Sequence, residues 1–137
     1  MTEPTSNPAS IAMMKQDRAS SMLGMTVIVN LPGHAVVTMP VRDDMLNGFD
    51  ITHGGFVFAL ADTAFAIACN DDDRQTVSSG AEITYLKSTT SGETLTATAL
   101  RRSTVGSSGV FDVTITDSVG DVVAEFRGHS RKLRPPR

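Results

Sequence analysis

Residues 54–70, GGFVFALADTAFAIACN, constrain this chain more than any other stretch: as a helix they are apolar on every side except at Asp62. A helix that is hydrophobic all round has to be enclosed by the rest of the fold. An ionised carboxylate in such a place requires a partner, a shifted pKa or a chemical task. The positions one turn away from Asp62 are Phe58, Ala59, Phe65 and Ala66, and none of them pairs with it.

The remaining sequence has to supply the enclosure. With 137 residues the chain is long enough for one domain with a real core. Residues 9–23 carry Ile11, Met14, Ala19, Met22 and Leu23 roughly on one face, which predicts an amphipathic helix stopped by Gly24. Two Val/Thr-rich runs, 25–30 and 35–41, flank Leu-Pro-Gly-His and predict a hairpin. After the central helix and an acidic turn, Asp71-Asp72-Asp73, the period becomes two. Strands are expected at 76–87, 94–103, 110–117 and 122–129, punctuated by Ser91-Gly92, Gly106 to Gly109 and Gly120-Asp121. Short turns favour antiparallel neighbours. The expectation is an α+β domain over residues 9–132, with an antiparallel sheet wrapped around one long helix. Residues 1–8 read as a flexible lead-in and 133–137 as a flexible tail. A second subunit would have to cover what the single helix leaves bare.

Composition narrows the function classes. A net charge of -3 and a pI near 5.5 argue against nucleic acid as a partner, because such proteins usually carry a basic footprint. One cysteine, Cys69, allows no internal disulfide, and three scattered histidines make no metal set. No cofactor or metal is expected. The first ten residues lack a basic and apolar leader, and no apolar run reaches the ~20 residues of a membrane span. These features imply a soluble, cytoplasmic protein.

The chemistry concentrates where the central helix begins. Gly54 and Gly55 sit at a helix start, where backbone N–H groups lack acceptors and the macrodipole is positive. Without a Cβ at either residue a ligand carbonyl approaches the backbone closely, as oxyanion stabilisation demands. Asn47 and His53 stand just upstream, placed to donate to a carbonyl or to orient the loop. Asp62 suits a general base or nucleophile acting on an activated acyl group; the alternative is an ion pair with an arginine such as Arg101. At ~1.5 Å per residue, Gly54 and Asp62 lie roughly 12 Å apart along the axis. One chain does not aim both at one carbonyl, so a shared site implies a dimer in which Gly54 of one copy faces Asp62 of the other. A Ser-His-Asp triad has no support, since no Gly-x-Ser-x-Gly elbow occurs.

These residues carry a resemblance. Met45-Leu46-Asn47-Gly48, His53-Gly54-Gly55 and Leu60-Ala61-Asp62-Thr63-Ala64-Phe65 closely resemble the hotdog-fold acyl-CoA thioesterases of the phenylacetic acid degradation type. Leu23-Gly24, residues 35–39, residues 92–99 and Phe126-Arg127-Gly128 look like that family too, so the resemblance spans nearly the whole chain. It implies a curved antiparallel sheet around a helix, homodimers that commonly pair into homotetramers, and sites between subunits. It further implies that Asp62 activates water or attacks the thioester, that Gly54 donates its N–H to the carbonyl, and that His53 and Asn47 bind and orient it. Gly55, Thr63, Ser79, Gln16, Arg101 and Arg102 are the further substrate contacts it suggests. Coenzyme A enters as part of the substrate.

Several alternatives stay open. A hotdog-fold hydratase would also use an Asp and a His, for which Asp50 and His53 are the candidates. A non-catalytic acyl-CoA-binding module is another. Phe49, Phe56, Phe58 and Met45 either line an aromatic acyl pocket or pack the core. Arg101, Arg102, Arg127, Arg131, Lys132 and Arg134 either meet coenzyme A phosphates or belong to a solvated edge.

Overall fold

The structure, a computed structural model, describes residues 7–134. Helices α1 (Pro8–Lys15) and α2 (Arg18–Met22) lead into the hairpin β1 (Thr26–Leu31) and β2 (His34–Pro40). A short 3-10 turn, Asp43–Met45, and a loop then feed α3 (Gly54–Cys69). Strands β3 (Thr76–Tyr85), β4 (Thr94–Val105), β5 (Ser108–Thr116) and β6 (Val122–Lys132) complete one six-stranded sheet of order β1-β2-β4-β5-β6-β3, with every pairing antiparallel.

The period-two runs do what their alternation predicts. On β2, Ala35, Val37 and Met39 point inward, joined by Leu95, Ala97 and Ala99 of β4 and by Phe111, Val113 and Ile115 of β5, all buried. Into this concave face α3 inserts Val57, Leu60, Ala61, Ala64, Phe65, Ile67 and Ala68. Phe65 sits between Phe111 and Phe126, with ring centroids 5.5 and 5.9 Å away. It is admitted by Gly128, where a Cβ would fall 2.7 Å from the ring. The other side of α3 is only half covered. Gly55 is exposed, and Phe58, Ala59, Asp62, Thr63 and Ala66 are intermediate. Strand β3 forms one edge of the sheet, and most of its ten residues are exposed.

The expected single N-terminal helix is two. Asp17 interrupts it by adopting an extended conformation and accepting the Ser20 N–H at 2.9 Å, so it caps a new helix instead of continuing the old one. Gly24, at φ +71, then ends α2. Residues 1–6 of the expected lead-in lie outside the described residues. Asn7 is 1% exposed, its amide donating to the Asn70 carbonyl at 2.7 Å, and Pro8 opens α1. At the other end Leu133 N–H donates to the Gln75 carbonyl, and residues 135–137 fall outside the described range. In the hairpin, the turn is Pro32-Gly33, with Gly33 at φ +72.

Candidate active site

The loop before α3 is built to deliver one backbone amide. Asn47 Oδ1 accepts the Phe49 N–H at 2.9 Å and that of Ile51 at 3.4 Å, which folds the loop and lets Asp50 adopt φ 58. Thr52 N–H donates to the Thr89 carbonyl, the Thr52 and Thr89 hydroxyls bond at 2.7 Å, and His53 N–H donates to the buried Met45's carbonyl. His53 is therefore held from both sides when it becomes the N-cap of α3.

Three amides open that helix, and two are used. Phe56 N–H donates to the His53 carbonyl at 3.0 Å, and Gly55 N–H donates to His53 Nδ1 at 2.9 Å. Gly54 N–H finds no acceptor among the described residues. Because Nδ1 accepts, a neutral His53 carries its proton on Nε2, a donor that points away from the cap. The Asn47 side chain likewise spends its oxygen on the loop and keeps its NH2 group for donation. An unused helix-start amide can hold a developing oxyanion.

Asp62, two turns along α3, is half-buried, and burial alone raises its pKa above the ordinary 3.8. No described residue offers it a hydrogen bond or a cation. The expected alternative, an ion pair with Arg101, does not form: the Arg101 guanidinium is bound to Asp71 beyond the C-terminus of α3 and lies over the Phe111 ring. An unpaired carboxylate with a raised pKa is suited to accept a proton. The one cysteine is no competing nucleophile, since burial pushes the Cys69 thiol up to about 12.

The remaining candidates divide between this region and elsewhere. Thr63 Oγ1 lies 3.0 Å from Ser20 Oγ, and the Ser20 hydroxyl donates to Asp17 Oδ2 at 2.7 Å. Thr63 consequently donates to Ser20, pinning α2 beside the Asp62 turn. Gln16 caps α1 and is exposed. Ser79 is the extra residue of a bulge in β3, and its hydroxyl donates to the His129 carbonyl at 3.1 Å. Since β3 starts beside Asn70 and ends beside Gly54, Ser79 belongs to the far end of α3. Arg101 is at that end as well. Of the six basic residues weighed for phosphate binding, Arg101, Arg102, Arg127 and Lys132 are in ion pairs with Asp71, Asp72 or Asp112. Asp50 and His53 make no hydrogen bond to each other; His53 Nδ1 accepts from Gly55.

Sequence reasoning missed Tyr85. Its hydroxyl donates to the Gly54 carbonyl at 2.9 Å, and its ring lies so close that a Cβ on Gly54 would be 3.1 Å from Cζ. No spacing rule links residues 31 positions apart across a helix, a loop and a strand.

A curved antiparallel sheet enclosing one long helix, with a free amide at the helix start and a lone carboxylate two turns on, defines a hotdog fold equipped for work on an activated carbonyl. Residues 49–124 match the Thioesterase superfamily. The chain is 43% identical over 122 residues to the Escherichia coli acyl-coenzyme A thioesterase PaaI, a span covering 89% of this chain and 87% of that protein. The solved E. coli PaaI structure superposes with a TM-score of 0.90 at 42% identity, covering 93% of this chain and 92% of that one. A variant of the phenylacetic acid degradation protein PaaI from Thermus thermophilus superposes with a TM-score of 0.82 at 32% identity, over 85% and 100%. This chain belongs to the thioesterase superfamily.

Proposed function

We propose that the protein hydrolyses acyl-CoA thioesters, with phenylacetyl-CoA or a hydroxylated phenylacetyl-CoA as substrate, releasing the free acid and coenzyme A. The observation that carries this reading is the pairing, on one helix, of an unused Gly54 amide and an unpaired, proton-avid Asp62. The PaaI relatives supply the acyl-CoA and phenylacetic acid context. Gly54 N–H receives the thioester oxygen, and His53 Nε2 and the Asn47 amide hold its orientation. A water loses a proton to Asp62 as its oxygen adds to the carbonyl carbon. Collapse of the tetrahedral intermediate breaks the carbon–sulfur bond, and the proton returns from Asp62 to the departing thiolate. Direct attack by Asp62, giving an anhydride that water then opens, uses the same groups. A hydratase would also use an Asp and a His, but Asp50 and His53 are not hydrogen-bonded here, and water adding to an enoyl-CoA while the thioester survives would favour it.

Roughly 12 Å of helix between Gly54 and Asp62 means that a complete site takes one group from each of two copies. Two surfaces support such a homodimer: the half-bare, small-residue side of α3 around Asp62, and the unpaired edge of β3, ten residues long and open to strand pairing. Pairing of dimers into a homotetramer belongs to the same reading, as does a cytoplasmic location. No helix among the described residues is long and apolar enough to cross a membrane.

The test is thiol release from phenylacetyl-CoA, followed by subunit mixing. Gly54→Pro removes the amide at a first helical position, where His53 already has the extended φ -59, ψ 131 that precedes proline, and its Cβ, 3.1 Å from Tyr85 Cζ, also requires that ring to shift. Gly54→Pro and Asp62→Ala chains, each inactive alone, are expected to regain activity when mixed; no recovery in demonstrably mixed dimers refutes the shared site. Absence of thiol release by the parent protein refutes the hydrolase.

A further inference from the structure

Gly54 borders a hollow within its own chain, walled by the apolar Ile51, Val57, Leu86 and Val123 and the Tyr85 ring, with Asn47, Thr52, Lys87, Ser88 and Thr89 also on its lining. Val57 and Val123 are 3% and 2% exposed and form its floor, whereas Tyr85 and Leu86, at 50% and 60%, form a wall open to solvent. The wall is fixed in place. Leu86 N–H donates to the Val123 carbonyl at 2.8 Å, and the Tyr85 hydroxyl is tied to the carbonyl of the very residue whose N–H is unused. The hollow's one cation is cancelled, because Lys87 Nζ lies 2.6 Å from Asp117 and 2.8 Å from Asp121. What remains is a recess with an apolar floor and wall, edged by the uncharged Asn47, Ser88 and the mutually bonded Thr52 and Thr89, with no free charge for a phosphate or carboxylate.

We propose that this hollow receives the acyl end of the thioester, that the acyl group it suits is a flat aryl ring set against Tyr85, and that Tyr85 and Leu86 determine specificity. The inference rests on the thioesterase reading above. The two ends of the substrate sort themselves: the coenzyme end is large, carries phosphates and has to leave toward water, while a closed apolar floor suits the small neutral end. Aromatic rings meet edge to face or offset, and Tyr85 offers a ring whose position is locked. The four residues that the sequence left between an acyl pocket and the core do not line this hollow. Met45 is in the core, Phe58 packs on Phe126 at 5.4 Å, Phe56 lies 5.9 Å from the His53 ring, and Phe49 is 86% exposed at the loop tip. The subunit that polarises the carbonyl is thus the one that grips the acyl group, and the second copy brings the carboxylate.

The experiment compares kcat/KM for phenylacetyl-CoA with that for acetyl-CoA, as a quotient, in Leu86→Trp, Leu86→Ala and the parent. The quotient does not depend on the fraction of chains folded. Filling the hollow with tryptophan is expected to lower it about tenfold or more, and trimming the wall to alanine to lower it about threefold. A Leu86→Ala quotient equal to the parent's overturns the proposal, as does a Leu86→Trp protein that keeps the aryl preference. A second readout uses composition, since Tyr85 is the only tyrosine and the chain has no tryptophan. In Asp62→Asn protein, phenylacetyl-CoA is expected to change tyrosine emission more than an equal concentration of acetyl-CoA, which carries the same adenine; equal responses overturn the proposal. If the parent hydrolyses neither thioester while emission still separates them, the hollow stands and the thioesterase reading falls.

Discussion

His53 Nδ1 accepts the Gly55 N–H at 2.9 Å, and this contact gives adjacent amides opposite fates: Gly55 is consumed by the cap, and Gly54 is left for a ligand. The imidazole therefore serves the fold with one nitrogen and keeps the other unused among the described residues. His53→Asn keeps an N-cap acceptor but loses the distal donor, whereas His53→Ala loses both. Urea unfolding should place the Asn variant close to the parent and the Ala variant about 1 kcal/mol lower. Both should lose kcat/KM alike. An Asn variant with parental activity would remove the distal nitrogen from the site.

Asp62→Asn keeps the shape of the side chain and removes the base. Turnover should fall roughly 100- to 10,000-fold, while binding of substrate changes little.

The same carboxyl links activity and stability to pH. Burial raises its pKa above 3.8, so the folded chain holds the proton more tightly than the unfolded one. Below that value both states are protonated and burial costs nothing; as pH rises through the folded midpoint, a charge has to be kept in a half-buried site and stability is lost. Asp62→Asn should therefore raise Tm at neutral pH, with the gain shrinking as pH falls through the raised folded-state pKa and gone below about 3.8. The acid limb of kcat/KM in the parent should lie above the ordinary carboxylate range, since the base form is what is lost there. A variant less stable than the parent at neutral pH would contradict the cause assigned here.

Gly128 is a packing requirement of a different kind. A Cβ there would meet three Phe65 ring atoms at 2.7 to 2.8 Å, and that ring is already held between Phe111 and Phe126. Gly128→Ala should cost about 1–3 kcal/mol of stability by overpacking, read from the urea midpoint. An unchanged midpoint would mean that the ring has somewhere else to go.

Arg101 offers a test of where the site ends. Its ion pair with Asp71 is partly exposed, so Arg101→Gln should cost less than about 1 kcal/mol. KM for the thioester should stay at the parental value. A large rise in KM would return Arg101 to the coenzyme-binding surface that the sequence suggested.

Much of this architecture is legible from periodicity. The all-round apolar helix forces an enclosing sheet, and period two in the second half supplies one, so the enclosure of α3 follows before any coordinates are known. Asp62 is legible for the same reason, as the one residue that violates its own helix. Pairing between distant residues is not. Nothing local says that Arg101 turns to Asp71 and leaves Asp62 alone, or that Tyr85 comes to rest on Gly54, because both meetings are produced by strand register and loop path. The break at Asp17 is a local contest that a periodicity argument cannot see, since a capping side chain there competes with continuation of the helix. The choice left open for Phe49, Phe56, Phe58 and Met45 has a related cause: hydrophobicity alone does not separate a core methionine from a pocket wall.

The span of helix between Gly54 and Asp62 carries a consequence for how such an enzyme is switched off. If every reaction centre is assembled from two chains, dilution alone extinguishes it, with each chain still folded. Specific activity would then fall with protein concentration along a dissociation curve, and a chain defective in either group would poison half the centres it enters and leave the other half intact.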